Sequence, residues 1–64
     1  MSITELELPI IGKDGNAFAI MGSAGRVLKD AGLYEEFWDS YYAEATSGDY
    51  DHLLRITMEY FEVV

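Results

Sequence analysis

Apolar residues recur along this chain in two rhythms. Over residues 3 to 10, Leu6, Leu8 and Ile10 alternate with Glu5 and Glu7, the period of two that marks a half-buried strand. Pro9 lacks an amide hydrogen and keeps the end of that strand from any central place in a sheet. Gly12-Lys13-Asp14-Gly15-Asn16 follows as a dense turn signal, with Asn16 suited to cap a helix. The rhythm then changes. Ala17, Ile20, Met21, Ala24, Val27, Leu28 and Ala31 recur at spacings of three and four, which predicts a helix over residues 17 to 31 stopped by Gly32. A second helix is predicted with Leu33, Tyr34, Phe37, Trp38, Tyr41 and Ala45 on its inner face and Glu35, Glu36 and Asp39 opposite. It ends near Ser47-Gly48. Asp49 reads as the N-cap of a third helix, its inner stripe Tyr50, Leu53, Leu54, Thr57, Met58 and Phe61 and its outer face Asp51, His52, Arg55 and Glu59. The tail Glu62-Val63-Val64 has three courses open to it: fraying, continuing the helix, or forming a short strand beside residues 3 to 8. A lone N-terminal strand with an open edge favours such a pairing, within the chain or across a dimer. The expected fold class is α+β and mostly helical, one small domain over residues 1–64.

Composition narrows the picture. The chain has 64 residues, no Cys and a single His, so neither disulfides nor a Cys and His metal set can staple it, and stability rests on apolar packing or self-association. Half of its residues are hydrophobic, enough for a packed core and against disorder. The formal net charge is −8, which opposes direct binding to nucleic acid or to an anionic membrane, because affinity for phosphate polyanions is built from clustered Lys and Arg. A partner with a basic surface is the better electrostatic match. With no apolar run of transmembrane length and no basic, then apolar, export segment, a cytoplasmic setting is expected. The charge is uneven: residues 17 to 32 carry +1, whereas residues 33 to 46 carry −4 and residues 47 to 64 carry −3. The acidity belongs to the second and third helices.

Two stretches carry a resemblance. Gly15-Asn16-Ala17-Phe18-Ala19-Ile20-Met21-Gly22, and Glu44-Ala45-Thr46-Ser47-Gly48-Asp49-Tyr50-Asp51-His52-Leu53-Leu54, resemble a family of short uncharacterised proteins from bacterial and phage or prophage genomes. The likeness spans most of the chain from Ile10 to Glu62, and the Ser-Gly-Asp-Tyr-Asp-His-Leu-Leu run is its more specific part. It implies a setting rather than a chemistry: small size and phage association are those of anti-defence or host-takeover proteins. No catalytic residue is carried over by it.

Candidate chemistry is sparse. Glu44, Asp49, Asp51 and His52 form the one cluster with metal or acid-base character, but their spacing is wrong for a calcium loop. Asp49 is better read as a cap, Asp51 as a complement to the helix dipole, and His52 as projecting to solvent. Without a nucleophile and partnering base, no catalytic residue is assigned and no enzyme is expected. No metal or cofactor is expected either. The glycines fit neither a P-loop nor a dinucleotide fingerprint. What survives is a weaker ligand site: the helix start at Asn16, with Phe18, Arg26 and Lys29 for an anion. Phe18, Gly22, Gly25, Arg26 and Lys29 share the back of the first helix. Two glycines inside a helix cost about 1 kcal/mol each relative to Ala, so a close neighbour is expected there, with the N-terminal strand preferred over a partner molecule.

Three functions follow as expectations. The preferred one is a non-enzymatic interaction protein, a phage-encoded inhibitor that sets Glu35, Glu36 and Asp39, flanked by Tyr42, against a basic surface of a host defence or nucleic-acid-handling protein. The alternatives are an oligomer that sequesters an anionic nucleotide and a self-assembling structural protein.

Overall fold

Each element ends where its residues dictate. The computed structural model describes residues 2–9 and 17–64, in the order β1 (Leu6–Leu8), α1 (Ala17–Asp30), α2 (Tyr34–Ala45), α3 (Tyr50–Tyr60) and β2 (Phe61–Val63). The turn predicted over residues 12–16, Asn16 included, and Ile10 lie outside the described residues. Gly32, with φ +74°, stops α1 in a Schellman arrangement: the Leu33 amide donates to the Leu28 carbonyl at 2.9 Å and the Gly32 amide to that of Lys29 at 3.1 Å. Leu33 then packs against the core beside Leu28. Asp49 caps α3, its Oδ1 accepting from the His52 amide at 2.9 Å.

The tail is a strand. β2 pairs with β1 in parallel, with Leu6 opposite Phe61, Glu7 opposite Glu62 and Leu8 opposite Val63. Parallel strands need a long crossover, and here three helices supply it. The predicted N-terminal strand is shorter than its alternation, for residues 2 to 5 form a hook instead. The Ile3 amide donates to the Glu59 carbonyl at 2.8 Å and the Thr4 amide to that of Tyr60 at 3.0 Å, and the Thr4 hydroxyl also donates to Tyr60. The hook therefore caps the C-terminus of α3, satisfying carbonyls that the helix leaves open. Glu5, at φ +57°, turns the chain from hook to strand.

The core is centred on Tyr41. Its ring lies 5.4 Å from Tyr60, 5.5 Å from Phe61 and 5.8 Å from Trp38, and it is buried together with Leu8, Leu28 and Phe61. The Tyr41 hydroxyl donates to Thr57 Oγ1 at 2.8 Å, and Thr57 in turn donates to the Leu53 carbonyl at 2.8 Å, so this buried polar pair is fully satisfied. Burial pushes the Tyr41 phenol above its ordinary value near 10, opposed by the Thr57 hydrogen bond.

α3 is rotated from its predicted orientation. Its buried residues are Leu53, Ile56, Thr57 and Tyr60, whereas Met58 is 57% exposed and Tyr50 also faces out. The positions 53, 56, 57 and 60 repeat at three, four and seven. Thr57 can occupy the centre of that stripe because Tyr41 meets its hydroxyl. The molecule is a mostly helical α+β fold with a Cα radius of gyration of 10.5 Å.

Candidate functional site

The outer face of α2 presents Glu35, Glu36 and Asp39 to solvent. Among the described residues none of the three is held in an ion pair. Glu35 and Asp39 lie one turn apart, and Tyr42 follows a turn later on the same side. Tyr42 is 46% exposed, yet its ring is braced against Trp38 at a centroid distance of 5.5 Å. Trp38 stacks in turn on Tyr34, 5.2 Å away and only 13° from parallel. The acids thus stand beside a fixed aromatic row rather than on a bare helix.

On the other side of that row runs a groove between α1 and α2 of about 390 Å³, lined by Met21, Gly22, Gly25, Arg26, Tyr34 and Trp38 among others. Lys29 Nζ sits 4.8 Å above the Tyr34 ring, close enough for cation–π attraction. The Tyr34 ring is therefore held by two neighbours, the Lys29 ammonium and the Trp38 indole. Arg26 is exposed beside it. Sequence reading brought Arg26, Lys29 and Phe18 together but missed that Tyr34 and Trp38 wall the same groove. The signal was present in their spacing of four, which sets both on the side of α2 that meets α1.

The neighbour of the helix glycines differs from the expected one. A Cβ on Gly25 would stand 3.3 Å from Trp38 Cζ3 and 3.6 Å from Tyr34 Cε1. Gly25 thus accommodates α2 side chains, not the N-terminal strand. For Gly22 a Cβ would meet nothing within 4 Å among the described residues. Phe18 is 83% exposed. The strand pairs with β2 and does not itself cover this part of the α1 back.

His52 is also corrected. It does not project freely to solvent, because its Nε2 lies 2.9 Å from the Glu44 carbonyl and 3.1 Å from Ser47 Oγ. Ser47 Oγ donates to that same carbonyl at 2.7 Å. With Nε2 protonated the ring donates to the last turn of α2, so His52 staples the α2–α3 turn. Gly48 makes room for it: a Cβ there would stand 2.8 Å from His52 Cγ. No group of three His, Asp or Glu side chains suited to a metal ion occurs among the described residues.

The two stretches that carried the family resemblance meet in space. Ala17 and Met21 of the first face Ala45, Thr46, Gly48 and Tyr50 of the second across a hollow of about 280 Å³. No family model matches the chain, and neither a curated protein nor a solved structure matches it significantly. No helix among the described residues is long and apolar enough to cross a membrane.

Proposed function

We propose that this chain is a non-enzymatic interaction protein that docks the outer face of α2 onto a basic surface of another protein and occludes it. The observation that carries this reading is that three exposed acids, Glu35, Glu36 and Asp39, with no ion pair among the described residues, stand beside Tyr42 braced on Trp38. Exposed charges steer encounter, and a pre-positioned aromatic supplies buried contact at little entropic cost. The resemblance to bacterial and phage proteins supports a host defence or nucleic-acid-handling protein as the target, with inhibition by occlusion as the effect. Reversal of the three acids to Lys should abolish capture of a basic protein from a bacterial lysate, and raising the salt should weaken capture by the wild-type chain. Capture that is indifferent to both would sink the proposal.

A second reading, sequestration of a small anion, rests on Arg26 and Lys29 at the rim of the α1–α2 groove. It predicts a rise in melting temperature with a panel of nucleotides, because a ligand that binds only the folded state stabilises it. An unchanged melting temperature across the panel would rule it out.

A further inference from the structure

We infer that the aromatic row of α2 is a one-electron relay, in which an oxidising equivalent that reaches Trp38 is passed to Tyr42, so that Tyr42 and not the tryptophan is the site of oxidative modification. Trp38 is the chain's single Trp. It is half-buried and lines the open groove between α1 and α2, where a small oxidant reaches it. Three tyrosines touch it. Between ring centroids, Tyr34 lies at 5.2 Å, Tyr42 at 5.5 Å and Tyr41 at 5.8 Å, close enough for an electron to pass directly from ring to ring. Tyr50 is nearly as exposed as Tyr42, but it has no ring contact among the described residues.

The chemistry balances in two steps. A one-electron oxidant of the inorganic radical class, such as the azidyl radical, takes one electron from the Trp38 indole and becomes its anion. The indole radical cation releases its Nε1 proton to water and is left as a neutral indolyl radical. A tyrosine then gives that radical one electron while its phenol O–H releases a proton to water, and the indole nitrogen regains a proton from water. The indole is restored, the oxidant has gained one electron, and a phenoxyl radical remains. At neutral pH this second step runs downhill, provided that the phenolic proton has somewhere to go.

Proton exit and local charge select Tyr42 among the three. Tyr41 is buried, and its hydroxyl donates to Thr57 Oγ1 at 2.8 Å. An alcohol oxygen is no base for a phenolic proton, and burial makes that proton harder to remove. Tyr34 carries the Lys29 ammonium 4.8 Å from its ring centroid. A cation drawn to an electron-rich ring face opposes taking an electron out of that ring. Tyr42 is 46% exposed, so water can take its proton. Asp39 stands one turn before it on α2, and Glu35 one turn further back, and negative charges nearby favour the loss of an electron. The relay concerns oxidation and not docking, so it stands independently of the proposed function.

Pulse radiolysis of the whole chain with azidyl radicals tests the inference, since a single Trp makes the indolyl signal unambiguous. In wild type the indolyl absorption should decay into the phenoxyl absorption at a rate independent of protein concentration, and peptide mass spectrometry of the oxidised chain should place the modification on Tyr42. Tyr42→Phe, a change at an exposed position, should lose most of that conversion. Tyr34→Phe should keep it, and so should Tyr50→Phe, the control for an exposed tyrosine without a ring contact. An indolyl radical that persists in wild type, or that decays only by encounters between molecules, overturns the inference. So does conversion that Tyr42→Phe leaves intact, or that Tyr34→Phe or Tyr50→Phe removes as fully.

Discussion

At the scale of single residues, the polar side chains buried or half-buried in this molecule are spent on holding its elements together. Tyr41 and Thr57 join α2 to α3 through a 2.8 Å hydrogen bond. Tyr41→Phe should cost about 1 kcal/mol, the net value of a typical hydrogen bond, since Thr57 keeps its bond to Leu53. It should also change the alkaline limb of stability. Burial raises the folded-state pKa of Tyr41, so the folded form resists deprotonation more than the unfolded form does. The resulting stability is present in full below pH 10 and declines as the pH climbs from there through the raised value. Denaturation followed from pH 8 to pH 11.5 should show a steeper loss for wild type than for Tyr41→Phe. Gly48 and His52 form a coupled pair of another kind. Gly48→Ala places a methyl against the imidazole and should destabilise by about 1–3 kcal/mol, the range for overpacking a fixed neighbour. In a His52→Ala background the same change should cost much less, a non-additivity that a double-mutant cycle reads directly.

Elements were legible to unequal degrees. α1 and α2 could be read well because their inner faces are apolar throughout, and Gly32 marks the boundary between them at a φ that side chains resist. α3 was read with a rotational error: Leu53 and Thr57 were placed inward correctly, but Tyr50 and Met58 were taken into the stripe in place of Ile56 and Tyr60, because apolar character alone does not choose between adjoining faces of the helix. Met58, judged by hydrophobicity alone, was wrongly turned inward. The contrast can be measured: Ile56→Ala should cost about 2–4 kcal/mol as a core truncation, whereas Met58→Gln should stay within about 0.5 kcal/mol. β1 was foreshortened for a similar reason. Thr4 and Ile3 are drawn off by the open carbonyls of α3, which local alternation does not register. Glu5 sits at positive φ to make the bend, so Glu5→Gly should raise stability by up to about 1 kcal/mol in urea denaturation. Of the candidate site, the acids of α2 were legible as a solvated helix face. The groove was not, since it depends on which side chains of α2 come to rest on Gly25.

For the whole molecule, the distribution of charge matters more than its sum. The parallel pairing of β1 with β2 brings the two ends of the described chain together and leaves the three helices as the working surface. α1 is nearly neutral and bears an open hydrophobic knob, while α2 and α3 are acidic. Under the proposed function it is the acidic outer face of α2 that meets a basic partner. The most direct measurement of the central claim compares two charge-matched variants in capture from a bacterial lysate. One reverses Glu35, Glu36 and Asp39 to Lys, and the other reverses Glu7, Glu44 and Glu59, exposed on other faces. The account predicts that the first loses a basic protein partner that the second retains. Equal loss by both would show that net charge, and not the face of α2, makes the contact, and would contradict it.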